Sequence, residues 1–523
     1  MTKSFWVALV AAASHAASHG RDIDIRDHGA VAGDDVDAAT AIHNGRAIFD
    51  ALKAAGRGDT VVAPAGLRFV AVPWAPIYGL RDVALRVDGC LAAYRDPAAW
   101  PHPDGKYEPF LSIQTAENFT LHGAGAIDGQ GHDWWWLFAL NKLDHKRPVL
   151  VEIDGSSRVA VRDVALLDSP RFNLYLGPFT RGALIERVTI LCDWEAQAAL
   201  AAQANPGFNR GGVAAGVLPM FPFNTDGVDV AGRDVVIRDS VISNWDDVVA
   251  VKPSVARDAK GGTAPGCTRN VEVRNLTVYR GAGLSIGSVH PTPELPCVRD
   301  VTFEEISLYS PLKGPYVKPD LGSGDCDRLG ADCGALIDNV TYRSIKMYRS
   351  PEGFLTPPDW PETERAARAR SLANGTRSAA VEKALAAFRA ARFGDAPAYD
   401  CDANNYFCME WPLYVGTQQQ LEPDGTGSGI WPRTEPRVDV RNIRFVDVKS
   451  HGGEWPASAA LVRCNASNPC RGLVFQDVVL DADAFVTGRK YVCDGRDAAA
   501  GVATGDNAPD PRDCLRDDDD DDD

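Results

Sequence analysis

The chain has 523 residues, 45% hydrophobic and 24% charged, with 48 Gly, 34 Pro, 12 Cys and only 4 Met. That composition excludes a collagen-like fibre, a disordered chain and a simple helical bundle. The formal charge is −17, and the terminal run Asp517 to Asp523 supplies −7 of it, leaving −10 on the body. Such a balance carries no electrostatic footprint for nucleic acid or anionic membrane.

Residues 1–20 hold one early cation, Lys3, an apolar run from Phe5 to Ala13 and small residues from Ala16 to Gly20, the pattern of a secretory signal peptide. No later stretch approaches the ~20 apolar residues of a membrane span, so an extracellular location is expected. Cysteine usage agrees, because disulfides persist outside the cytosol. Three pairs are close in sequence, Cys326/Cys333, Cys401/Cys408 and Cys464/Cys470, and read as local clips. Neither Cys-x₂-Cys spacing nor supporting histidines appear, so no metal and no cofactor is expected. Asn-x-Ser/Thr sequons occur at Asn118, Asn275, Asn339, Asn374 and Asn465, some of them inside apparent strands. The terminal Asp run reads as a solvated tail within a C-terminal region from 491 to 523.

After the leader, Thr40 to Ala55 shows helical spacing of Ile42, Ile48, Phe49 and Leu52 and predicts an N-terminal capping helix. A recurring phrase follows, in which a polar pair precedes alternating apolar residues. It begins at Ser157, Arg233, Arg269, Arg299, Asp338, Arg441 and Arg471. Period-2 alternation of β-branched residues means short half-buried strands. Copies starting at 269 and 299, and at 441 and 471, lie 30 residues apart. A strand unit repeating at that interval cannot bury its apolar face alone and predicts a stacked solenoid, a right-handed parallel β-helix. Cys267 and Cys297 hold equivalent places in adjacent copies; stacking at ~4.8 Å permits either a disulfide or two stacked thiols. The expected organisation is a β-helix over 21–350, a partly helical insertion over 351–437 and final coils over 438–490.

Three carboxylates stand out. Asp226 lies in the run Phe223 to Asp229, and Asp246-Asp247 lie in the run Ser243 to Lys252, about one coil later. Residues one coil apart lie above one another, so these groups can converge. Apposed carboxylates raise one pKa and leave another ionised, as acid/base chemistry requires. Adjacent residues face opposite sides of a regular strand; for Asp246 and Asp247 to act together the chain must bend there. Read alone, Asn-Thr-Asp-Gly is a turn sequence, and Lys252 reads as a solvated side chain or as a cation setting local charge.

The ordered set Asn224-Thr225-Asp226, Asp246-Asp247, Gly281-Ala282-Gly283 with Ser285 to Ser288, and Tyr316-Val317-Lys318 resembles the polygalacturonase-type glycoside hydrolases of family 28. His28 to Val31, Gly125 to Gly131 with Trp134 and Trp135, and Asp168-Ser169-Pro170 add to the resemblance. It implies a secreted, monomeric enzyme acting with inversion on a pectin-like or other acidic polysaccharide. Asp246 would be the general acid, Asp226 and Asp247 would activate water, Asn224 would shape the site, and Lys318 would meet the substrate carboxylate. Two positions depart from the family pattern: Ala282 stands for its His and Tyr316 for the Arg of Arg-x-Lys. Tyr316 could then stack on a sugar, and His290 could supply an imidazole. The departures also admit a glycan-binding β-helix without turnover; a polysaccharide lyase on the same fold would need calcium and a basic proton acceptor.

Overall fold

The computed structural model describes residues 20–139, 142–192, 224–254, 256–257, 263–264, 267–320, 333–348, 411–417, 434–451, 460–465, 467–480, 491–493 and 503–504. The expected signal peptide, nearly all of the 351–437 insertion and the Asp tail lie outside them.

The described chain is mostly β, and its strands pair in parallel one coil on the next, the arrangement of a parallel β-helix. The coil from 157 shows the unit: Ser157–Arg162, a corner, Ala165–Leu167, a turn, and Leu174–Leu176. Each piece pairs with its counterpart in the next coil, so the three form three faces of a prism. From Arg233 onward the first two pieces run together as long kinked strands such as Arg233–Asn244 and Cys267–Arg280. Val, Ile and Leu at alternate positions fill one continuous core. An aromatic column, Phe303, Tyr342, Phe445 and Phe475, runs through it with centroids 4.9, 5.5 and 5.0 Å apart.

The recurring polar pair has a backbone reason. Its second residue occupies the left-handed region in coil after coil: Asp82, Asn118, Asp234, Asn270, Asp300, Asn339 and Asn442 all have φ between 52° and 58°. Asn and Asp tolerate that conformation better than other side-chain-bearing residues. They also bond across coils, Asn118 Nδ2 donating to Asp82 at 2.8 Å, Asn270 to Asp234 at 2.8 Å and Asn339 to Asp300 at 2.6 Å. The sequons at Asn118, Asn275 and Asn339 are therefore corner residues whose amides are already engaged.

The repeat extends further than the phrase shows. Arg81, Glu117 and Arg181 stand in register with Ser157 and Arg233, adding three coils. Within the span expected as an insertion, Leu413–Val415 is a strand of the third face, pairing with Pro315–Pro319 and Ala460–Val462. Helix α1, Ala38–Ala54, starts on Asp37, which accepts from the Thr40 N–H at 2.7 Å, and packs on Arg68–Ala71. It buries Ala41, Ile48 and Leu52 and packs Phe49 against the core, whereas Ile42 is 39% exposed. Cys267 and Cys297 are a disulfide with Cα atoms 4.6 Å apart, and Cys464 pairs with Cys470. Cys333 is also disulfide-bonded; Cys326, Cys401 and Cys408 fall outside the described residues. No helix among the described residues is long and apolar enough to cross a membrane.

Candidate active site

The three carboxylates sit in the turns that lead into third-face strands, and Tyr316 and Lys318 lie within the strand Pro315–Pro319 of that face. Val228–Val230 pairs with Val249–Val251, Val228 opposite Val249. Carried back two residues, that register puts Asp226 beside Asp247, an interval of 21 rather than the 20 that separates Asp226 from Asp246. The Gly227 N–H donates to the Asp247 carbonyl at 2.9 Å and fixes this alignment.

Asp246 joins them because the chain bends after the strand ends at Asn244. The fully buried Asn244 amide donates to the carbonyls of Thr225, Asp246 and Asp247 at 3.0, 3.0 and 2.8 Å. Asn173, one coil earlier, does the same for the carbonyls of Thr225 and Asp226 at 3.2 and 3.0 Å. Gly281 completes the bend at φ 78°, where a Cβ would come within 2.5 Å of Val248 and 2.8 Å of Asn244. Asp226, Asp246 and Asp247 thereby bring one oxygen each within 4.8 Å of one another.

Their charge states differ. Burial raises Asp226 well above the usual carboxylate range, helped by Asp229 and Asp246. Asp246, the most exposed of the three, is raised by burial and by Asp247, against Lys318 and two N–H donors, Asn224 to Oδ2 and Asp247 to Oδ1, both at 2.8 Å. Asp247 goes the other way. Burial would raise it, but the ammonium groups of Lys318 and Lys252 outweigh that and hold it below its ordinary value. Lys318 Nζ lies 2.5 Å from Asp247 Oδ2 and the Ser285 hydroxyl donates to Oδ1 at 2.6 Å. Such clustered carboxylate oxygens could also ligate a cation, but Lys318 already supplies positive charge inside the cluster.

Lys318 is 4% exposed, and its ammonium lies on Asp247. Tyr316 is 3% exposed, edge-on to Tyr414, with the ammoniums of Lys313 and Lys318 over its ring at 4.9 and 4.8 Å. No face of it is open for a sugar. His290 is exposed just beyond Leu284–Val289. Lys252 is not simply solvated: it pairs with Asp229 at 2.8 Å and lies 3.6 Å from Asp226. Asp229 itself, fully buried between Val228 and Val230 in sequence but on the opposite strand face, escaped the sequence reading, as did Ser285 as a ligand of Asp247. Arg147 was missed as well; it is 3% exposed, reaches Asn224 Oδ1 at 3.3 Å, and is lowered to about 9 by burial and by Arg171. Ala282 is buried, its N–H donating to the Asp246 carbonyl at 2.7 Å.

A parallel β-helix that gathers carboxylates of unlike protonation at the entry of successive strands is the frame of a glycoside hydrolase. The family profile of the glycosyl hydrolases family 28 matches residues 82–368, more than half of the chain, and the chain belongs to that family. It is 29% identical over 279 residues to a polygalacturonase of Juniperus ashei, covering 52% of this chain and 44% of that protein. The chain thus spans about half the length of the curated relatives it matches. Its fold is similar to the polygalacturonase from Erwinia carotovora ssp. carotovora, with a TM-score of 0.54 at 19% identity over 90% of this chain and 96% of that one. It is also similar to endo-xylogalacturonan hydrolase from Aspergillus tubingensis, with a TM-score of 0.52 at 16% identity over 94% and 100% of the two chains.

Proposed function

We propose that the protein is a secreted hydrolase of pectin-like, acidic polysaccharides. Asp246 protonates the departing glycosidic oxygen while Asp247, with Asp226 beside it, holds and deprotonates the attacking water. The observation that carries this reading is the split charge state within one cluster: Asp247 held ionised by Lys318, Asp246 and Asp226 pushed toward the protonated form. An acid and a base in contact with the same bond need that division. Asp246 has the exposure an acid facing substrate requires.

Inversion follows from water, not a carboxylate, attacking the anomeric carbon. Both Asp247 oxygens already accept hydrogen bonds, from Lys318 and Ser285, which weakens them as nucleophiles toward carbon but leaves lone pairs for water. One oxygen of each carboxylate lies within 4.8 Å of the others, a tight cluster beside the roughly 6.5–9.5 Å usual between the carboxyl groups of an inverting pair, and the product anomer tests the inversion. The disulfides Cys267–Cys297 and Cys464–Cys470 favour an oxidising, extracellular setting.

The test is release of reducing ends from polygalacturonate and a panel of neutral polysaccharides, with the first product anomer read by NMR. Release that disappears in Asp246→Asn supports the reading, and a retained anomeric configuration would reject the water-attack step. Tight oligosaccharide binding with no release by the wild type would instead favour the binding-only β-helix that Ala282 and Tyr316 suggested.

A further inference from the structure

The site described above has four carboxylates, Asp226, Asp229, Asp246 and Asp247, and four nearby cations, Arg147, Arg171, Lys252 and Lys318. For Asp246 to act as an acid it must carry a proton, which leaves three of the four carboxylates to balance the four cations. Two of the cations are committed: Lys318 to Asp247 at 2.5 Å and Lys252 to Asp229 at 2.8 Å. Arg147 is buried behind Asn224.

Arg171 differs from these three. It is half-buried, and among the described residues its guanidinium forms no ion pair and no hydrogen bond; only its backbone N–H is bonded, to Ser169 Oγ at 3.3 Å. The guanidinium stacks 4.0 Å over the ring of Phe172, and the Lys252 ammonium lies 5.3 Å from the same ring. Leu174 is in register with Val228, so Phe172 stands beside Asp226, one coil earlier. The charge of Arg171 also bears on Arg147, whose pKa it helps to lower. An anion held there relieves that repulsion, and a fork of N–H donors suits a planar carboxylate. The position where the family pattern has its arginine is here the buried Tyr316 and cannot do this work.

We propose that Arg171, backed by Arg147, binds the carboxylate of a uronic-acid residue of the substrate on the coil preceding Asp226, and so sets the preference for acidic over esterified glycan. This rests on the hydrolase reading of the site. The test is Arg171→Gln and Arg171→Lys assayed on polygalacturonate, with calorimetric binding of trigalacturonate and its trimethyl ester to the Asp246→Asn protein with and without Arg171→Gln. Losing a charge-assisted hydrogen bond predicts a roughly 10- to 100-fold rise in KM for Arg171→Gln, with kcat changed less than about threefold and partial rescue by Lys. Trigalacturonate binding should weaken by the same factor and the ester's should not change. An unchanged KM, or equal weakening for acid and ester, overturns the proposal. If the wild type hydrolyses nothing, the hydrolase reading fails and the calorimetry still decides the role of Arg171.

Discussion

Lys318→Met would remove an ammonium 2.5 Å from Asp247 Oδ2, with the two side chains only 5% and 2% exposed. At an effective dielectric near 20, two unit charges at that distance attract by roughly 7 kcal/mol. Desolvation offsets much of that, and breaking one partner of a buried pair typically costs ~3–5 kcal/mol. The distinctive signature is in pH. In the wild type Asp247 sits below its ordinary pKa, so its contribution to stability is present above the unfolded value near ~3.9 and is lost as pH falls through the lower folded value. Without Lys318, burial acts on Asp247 with Lys252 as the remaining counterweight, and its pKa should rise. The acidic limb of the pH–rate profile should move up with it. The stability loss in urea should be largest near neutral pH and shrink as pH falls toward 4. An unchanged acidic limb together with a pH-independent stability loss would refute this assignment, and a rise confined to KM would return Lys318 to the substrate-binding role its motif implied.

Asn244→Ala removes the donor to three carbonyls of the catalytic bend, two of them the carbonyls of Asp246 and Asp247. Buried acceptors left unsatisfied cost ~1–3 kcal/mol each before relaxation; the expected outcome is ~2–4 kcal/mol lost in denaturant titration and a fall in kcat that exceeds any rise in KM. Replacing Cys267 and Cys297 by Ser opens a loop of sequence separation 30. Chain entropy puts that at ~3–4 kcal/mol, to be seen as a lower unfolding midpoint with the kinetic constants of the folded protein intact.

The solenoid was legible because every coil needs the same thing, a β-branched run after a left-handed corner, and Asn or Asp at that corner leaves a written trace. The coil at Arg181 carries Gly182 at its corner, at φ 67°, without the Asn or Asp signature, as the recognised coil at Arg471 does with Gly472 at φ 66°. The coils at Arg81 and Glu117 carry the signature, at Asp82 and Asn118, but their strands are only three or four residues long. Loops of different length between second and third faces blur the repeat interval, and the Asp226–Asp247 alignment could be read only to within one residue.

The carboxylates were legible as a set, and their partners were not. Alternation puts Ser285, Tyr316 and Lys318 on one strand face, but which acid Lys318 meets depends on the pairing that sets it opposite Gly287 and Tyr316 opposite Ser285. Asp229 alternates with two core valines and so reads as solvent-facing, until the next coil lays Lys252 against it. In a stacked fold the outer face of one strand is roofed by side chains a full coil away.

The same stacking explains how the pKa values of two adjacent aspartates move in opposite directions. Asp246 receives two backbone N–H bonds, which favour its ionised form, yet burial and the charge on Asp247 prevail and raise it. Asp247 is no less buried, and Lys252 of its own coil, Lys318 from two coils on and the Ser285 hydroxyl together hold its pKa down. The charge on Asp247 in turn helps raise Asp246. In the proposed mechanism the acid therefore depends on the base, and the base on Lys318, a residue two coils beyond the bend. With Ala at position 282, Asp246 is oriented by backbone groups: the Ala282 N–H holds its carbonyl and the Asn224 and Asp247 N–H groups hold its carboxylate.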